Sequence, residues 1–249
     1  MKELIHFPDM GTWSFVPGTE SVRMQSFSPS TEDDGCTCYL LETQDYIIGI
    51  DPGLPEPQIQ NFHSLLRDLI DEKKRPVSLF YTHWRDGIFD ASLNLGADIA
   101  LHATALCHAF AQDDPPEAQE FFQRFGNSTG LFCGHGSACV YRSLLTPAGE
   151  LEALAIPLTA DAGLQIYQTP GLQSCAISLR VKHALFIGNL LGEQETQAHA
   201  GPDSHIYRQT LGKMVWIIEQ ANVTEVLPAY GPRLTADEAV RRMQARMGK

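Results

Sequence analysis

The sequence has no excess of positive charge, no long apolar run, no paired-cysteine signature and no internal repeat. Its 18 Lys and Arg are outnumbered by 30 Asp and Glu, a formal net charge of −12. Such a surface repels phosphate backbones and anionic lipid, so neither nucleic acid nor a membrane is expected as a partner. The simple consequence of the acidity is solubility. No stretch approaches the ~20 consecutive apolar residues that a bilayer-spanning helix needs. The opening MKELIHFPDM lacks the apolar core and small-residue cleavage site of a secretory signal, so a cytoplasmic location is expected. The six cysteines, Cys36, Cys38, Cys107, Cys133, Cys139 and Cys175, are scattered. None forms the C-x-x-C pair of a structural zinc site. Cys36 and Cys38, two apart in a strand-like stretch, share one face and read as core.

What is present is an ordinary globular composition, 249 residues with 43% hydrophobic content. That length buries a large core without disulfides or metal. No linker-like stretch divides the chain, so residues 1–249 are read as one domain. Two β-rich runs around Thr43-Gln44-Asp45 predict a hairpin, its second strand Tyr46–Ile50 continuously apolar and so buried. Asp51-Pro52-Gly53 follows as a turn, with Asp51 read as its structural cap. Apolar residues from Ile59 to Ile70 recur at helical spacing, predicting a helix over about 56–74, stopped by Pro76. Strands are expected at 77–81 and 98–102, with a helix at 90–95 between them. A further helix is expected at 115–125, and 126–136 is a glycine-rich stretch. Strands follow at 138–145, 164–168, 174–181, 184–187 and 223–227, with helices at 206–221 and from Thr235 onward. The mixed order predicts an α/β layer protein.

Five segments carry more than secondary structure. They are IGIDPG (48–53), FYTHWRDGIFDAS (80–92), YQTPGLQSCAISL (167–179), LFIGNLL (185–191) and VLPAYGP (226–232). In this order and spacing they resemble the motifs of the metallo-β-lactamase superfamily. Those are a strand ending in D-x-G, then T-H-x-H-x-D-H, T-P-G-H, a strand ending in G-D, and a final G-H-G-P. The segment GPDSHIYRQTL before the last motif also resembles its family counterpart. The resemblance implies a four-layer αββα sandwich with an active-site groove at one edge of its two sheets. It also implies a dinuclear metal centre, built from imidazoles and carboxylates around a shared hydroxide.

The ligand positions of that centre are largely replaced. His83 follows Thr82 as the family requires, but the second His is Arg85. The family Asp falls on Gly87 without a gap, or on Asp86 if one residue is deleted; both registers remain open. The T-P-G-H histidine is Leu172, the bridging Asp is Asn189 and the last His is Tyr230. Arg85 brings a fixed positive charge to a cation site, Leu172 offers no lone pair, and Asn189 offers a neutral carbonyl. Tyr230 ligates only as phenolate, against an ordinary pKa near ~10. No cofactor is therefore expected, and zinc only if a site has been rebuilt.

His83, Arg85, Asp86, Asp90, Asn189 and Tyr230 are expected to line the emptied groove. There Arg85 can pair with a carboxylate or phosphate, which points to a small anionic ligand. Alternatively Arg85 fills the space in an ion pair with Asp86, Asp90 or Asp51. The expected function is a non-catalytic ligand-binding or partner-binding module, with a homodimer allowed. The alternative is a hydrolase of thioesters, lactones or phosphoesters, with His83 and Asp86 as its catalytic pair. A rebuilt metal site would draw on His83 with His135 or His205, although no histidine pair has ligand spacing on one element.

Overall fold

A computed structural model describes residues 12–28, 36–52, 58–73, 75–83, 99–102, 140–192 and 204–248. The described strands are β1 (Ser14–Phe15), β2 (Arg23–Phe27), β3 (Cys38–Glu42), β4 (Ile47–Ile50), β5 (Val77–Phe80), β6 (Ile99–His102), β7 (Val140–Thr146), β8 (Gly149–Pro157), β9 (Gly163–Gln168), β10 (Ile177–Val181), β11 (Ala184–Gly188), β12 (Glu225–Pro228) and β13 (Leu234–Thr235). The helices are α1 (Gln58–Lys73), α2 (Ser204–Gln220) and α3 (Ala236–Arg246).

The β3–β4 hairpin forms where the sequence places it, in register from Tyr39 opposite Ile50 to Glu42 opposite Ile47. Thr43 closes its turn, Oγ1 accepting from the amides of Asp45 and Tyr46 at 3.2 and 2.8 Å. Ile47, Ile48 and Ile50 are buried. α1 then carries the chain back so that β5 runs parallel to β4, the crossover that a parallel pair requires. Phe62, Leu66 and Leu69 recur at i, i+4 and i+7 and form its buried stripe. Phe62 meets the Phe27 ring of β2 edge-on at 5.5 Å, which seats α1 on this sheet.

Two sheets result. One has six strands in the order β1-β2-β3-β4-β5-β6, and the other seven in the order β13-β12-β11-β10-β9-β8-β7. One core cluster joins them: Met24, Tyr39, Leu41, Ile48, Ile50 and Phe80 come from the first, and Ile166, Ile177, Leu179, Phe186 and Leu227 from the second. A second cluster puts the alternate residues Leu185 and Ile187 of β11 with Leu211, Met214 and Ile218 of α2 and Met243 of α3. Alternation along β11 thus sends one set of side chains to the other sheet and one set to the helices. The closing helix starts as its sequence suggests, Thr235 Oγ1 accepting from the Glu238 amide at 3.3 Å.

Some expectations need correction. β10 starts at Ile177 rather than at 174, because Ser174 and Cys175 lie in the turn before it. The Ala176 carbonyl accepts from the Thr169 amide at 2.9 Å to close that turn. β8, GELEALAIP, was not expected as a strand. Its Glu, Leu and Ala favour helix, and pairing with β7 on one side and β9 on the other overrides them. β1 and β2 were likewise not anticipated. The helices expected at 90–95 and 115–125 and the glycine-rich stretch at 126–136 lie outside the described residues. Among the described residues, no helix is long and apolar enough to cross a membrane.

Candidate functional site

The parallel pair β4–β5 of one sheet and the parallel pair β11–β12 of the other send the same ends toward one region, the carboxyl ends where α/β folds place ligands. Backbone bonds tie these ends together. The Asp51 amide donates to the Phe80 carbonyl at 2.8 Å, and the Ala229 amide to the Gly188 carbonyl at 2.8 Å. Between the sheets, the Ile177 amide donates to the Thr82 carbonyl at 2.8 Å and the Thr37 amide to the Ala229 carbonyl at 2.6 Å. Tyr39 adds its hydroxyl to the Pro228 carbonyl at 2.7 Å.

Asp51, one residue past β4, sits at φ 51°, a left-handed conformation that Asp tolerates better than most side chains. Its carboxylate accepts twice from Thr82, from the backbone N–H at 2.7 Å and from Oγ1 at 2.6 Å. Thr82 Oγ1 lies 2.9 Å from His83 Nδ1, and His83 Nε2 lies 3.2 Å from the Tyr230 hydroxyl. The His83 and Tyr230 rings meet edge to face at 5.5 Å. A continuous chain Asp51–Thr82–His83–Tyr230 therefore runs from one sheet to the other. Asp51, Thr82 and His83 are all buried, and Tyr230 is half-buried at the outer end. Asp51 thus does more than cap its own turn, because it also holds Thr82.

The donors in this chain have a definite order. An ionised carboxylate only accepts, so the single hydroxyl proton of Thr82 points to Asp51. Thr82 Oγ1 then accepts from His83, which fixes the proton on Nδ1 and leaves Nε2 facing Tyr230. Asp51 Oδ1 is 3.9 Å from Nδ1 and stabilises charge on the ring. The same carboxylate, behind the effect of burial itself, helps push the buried Tyr81 hydroxyl and Cys38 thiol well above their ordinary values. Neither is poised to ionise.

Gly188 closes β11 at φ 54°, and a Cβ there would stand 2.3 Å from Thr82 Oγ1 and 3.4 Å from His83 Nδ1. Only glycine lets the two strand ends approach this closely. Asn189 follows. It is 3% exposed, and its Nδ2 has no hydrogen-bond partner among the described residues. Asn189 and Tyr230 both border Gly192, whose added Cβ would lie 3.1 Å from the Asn189 carbonyl and 3.8 Å from Tyr230 Cδ2.

Of the six residues expected in the groove, the structure brings His83 and Tyr230 into contact and puts Asn189 beside Gly188, which abuts Thr82 and His83. Arg85, Asp86 and Asp90 lie outside the described residues, as does His135. His205 is exposed in the first turn of α2. Thr82 was not singled out from the sequence. Its signal was present in the T-H pair of the second motif, but nothing local revealed that its hydroxyl bridges Asp51 and His83.

No protein-family model matches the sequence, and no curated protein matches it. Solved structures do. A metallo-β-lactamase from Pontibacter korlensis is similar with a TM-score of 0.55 and 14% identity, covering 94% of this chain and 99% of its own. An archaeal metallo-β-lactamase superfamily protein from Sulfolobus tokodaii gives 0.54 and 14%, covering 90% of this chain and 84% of its own. A chemotaxis sensor, ODP, described as a peroxy diiron species, gives 0.54 and 11%, covering 96% and 95%. This chain has the metallo-β-lactamase fold. At these identities the likeness concerns fold alone.

Among the described residues, the side chains at the positions that the resemblance assigns to metal ligands do not make a dinuclear donor set. Both ring nitrogens of His83 are engaged by protein hydroxyls, Asn189 carries an amide, Leu172 a hydrocarbon and Tyr230 a phenol. Among the described residues, no three His, Cys, Asp or Glu gather as a metal-binding group.

Proposed function

We propose that this chain uses the metallo-β-lactamase groove without a dinuclear metal centre, as a non-catalytic module that binds a small anionic ligand. The observation that supports it best is the state of His83. Both of its nitrogens are satisfied within the protein, Nδ1 by Thr82 and Nε2 by Tyr230. A metal would have to displace one of these bonds, and it would find an amide and a hydrocarbon where the fold's other ligands stand. The fold itself does not compel hydrolysis, since one protein that shares it is described as a chemotaxis sensor.

Metal analysis of protein purified without chelator is the test. Zinc, iron and manganese are expected far below one equivalent, and near-stoichiometric metal overturns the reading. A hydrolase that works through His83 is the second reading, favoured by the lone pair that a neutral His83 presents to the Tyr230 hydroxyl. It requires turnover of a thioester, lactone, β-lactam or phosphoester that His83→Ala removes.

A further inference from the structure

We propose that β7 is a dimer interface: two copies of this chain pair β7 with β7, antiparallel about a twofold axis at Ser143, and join their seven-stranded sheets into one.

An edge strand offers unpaired backbone groups to any other strand, and proteins usually guard such edges with short strands, proline or charge. Among the described strands, three of the four sheet edges are short: β1 and β13 have two residues each and β6 has four. β7 has seven, Val140 to Thr146, without proline and with Arg142 as its one charge. It pairs with β8 on one side and, among the described residues, with no strand on the other.

The register with β8 fixes which backbone groups face outward. Thr146 pairs with Gly149 across a two-residue turn, so this pair exchanges both of its hydrogen bonds. Alternation then turns the N–H and C=O of Leu144, Arg142 and Val140 toward β8 as well. Those of Leu145, Ser143 and Tyr141 point to the open edge. The same three residues share one face of the sheet, opposite Glu150, Glu152 and Leu154 of β8. Leu154 belongs to the core between the sheets, yet on this face Leu145 and Tyr141 are 84% and 52% exposed. Apolar surface this open, beside unpaired backbone, marks a contact with another chain.

β7 is complementary to itself. Antiparallel pairing about Ser143 sets Ser143 opposite Ser143 of the partner subunit and Tyr141 opposite Leu145 of the partner subunit, and the reverse. Each of these pairs exchanges two backbone bonds through the outward groups, and each open apolar side chain meets another, aromatic against aliphatic. Arg142 falls opposite Leu144 of the partner subunit and Val140 opposite Thr146 of the partner subunit, so all seven residues are paired. An axis at Arg142 would set like charges opposite each other, and one at Leu144 would leave Tyr141 without a partner in β7. Acidity does not oppose this register. Glu150 and Glu152 lie on β8, three strand spacings or about 14 Å from β8 of the other copy, beyond the ~8 Å screening length at physiological salt.

Seven residues a side is small beside the ~20–30 of a standard interface, so the expected dimer is weak, with a Kd of about 10–100 μM. Analytical ultracentrifugation of the full chain from about 5 to 500 μM should show monomer giving way to dimer. Amide exchange at Tyr141, Ser143 and Leu145 should slow as the dimer fills. Ser143→Pro removes an N–H that β8 does not use, and should weaken dimerisation about tenfold or more. Leu145→Lys, at a position already open to solvent, should do the same. Phe15→Lys, which changes a 57% exposed side chain on the two-residue edge β1, should dimerise like the parent. Monomer throughout this range, a dimer that both β7 variants keep, a dimer that Phe15→Lys abolishes, or exchange at the three amides that ignores concentration overturns the inference. The exchange measurement on the unaltered protein decides the matter even if Ser143→Pro fails to fold.

Discussion

Replacing Thr82 by valine removes one hydroxyl from the middle of the Asp51–Thr82–His83–Tyr230 chain at nearly constant shape. The Thr82 N–H still donates to Asp51 at 2.7 Å, so the carboxylate keeps one of its two bonds from this residue. It loses the other, at 2.6 Å, a charge-assisted bond worth about 2 kcal/mol. His83 Nδ1–H, buried and at 2.9 Å from the lost oxygen, is left without that acceptor, which costs about 1–3 kcal/mol. The sum is about 3–5 kcal/mol. For a chain of 249 residues this corresponds to a fall in Tm of roughly 6–20 °C. Urea denaturation gives the free energy directly, and nitrogen NMR of the His83 ring reports the tautomer. Thr82→Ser, which keeps the hydroxyl, should recover most of the loss. A valine variant within about 0.5 kcal/mol of the parent, the ordinary range for surface changes, refutes the relay. So does a serine variant as damaged as the valine one.

Two further perturbations test the setting of the site. Gly188→Ala forces a side chain to adopt φ 54° and drives its Cβ to 2.9 Å from Thr82 Cβ. Left-handed strain of about 1–2 kcal/mol and overpacking of about 1–3 kcal/mol should be measurable together by chemical denaturation. A loss below about 1 kcal/mol would show that the strand ends are not in close contact. Asp161 accepts from Ser21 and, at 2.8 Å, from Thr159, and these bonds hold its carboxyl at about 2, below the ordinary 3.8. Its folded-state pKa is depressed, so its contribution to stability is complete above pH 3.8 and disappears as pH falls toward about 2. Melting curves of Asp161→Asn and the parent should therefore differ above that window and converge inside it. A gap that stays constant down to the acid limit removes the linkage.

Local pattern made the fold's central elements legible. The Cys38–Glu42 and Ile47–Ile50 hairpin, α1 and α3 follow from apolar periodicity and from turn and cap residues that lie within a few positions of each other. β8 was not legible, because GELEALAIP has the composition of a helix and is a strand only through neighbours on both sides. The site divides in the same way. His83 could be singled out because a motif frames it, and the replacements Leu172, Asn189 and Tyr230 because motifs frame them too. Neither the 31-residue reach from Asp51 to Thr82 nor the 147-residue reach from His83 to Tyr230 has a local signal. Asp51 therefore read as a turn cap, when its carboxylate also fixes the side chain that orients the histidine.

The same long-range bonds hold four strand ends from two sheets together. Here the described residues do it with hydrogen bonds: Asp51 to Thr82 twice, Thr82 to Ile177, Ala229 to Gly188 and to Thr37, and Tyr39 to Pro228. At about 0.5–1.5 kcal/mol each, six such bonds contribute about 3–9 kcal/mol, the size of a whole domain's net stability. None of them passes through His83, Asn189 or Tyr230. The bonds that hold the strand ends together and the groups proposed to meet a ligand are therefore separate sets of residues. That separation predicts a specific asymmetry: Asn189→Leu, which removes a side-chain amide whose Nδ2 has no partner among the described residues, should leave the urea midpoint near that of the parent, whereas Thr82→Val should lower it. If Asn189→Leu destabilised the fold as much as Thr82→Val, Asn189 would belong to the scaffold as well, and the separation would fail.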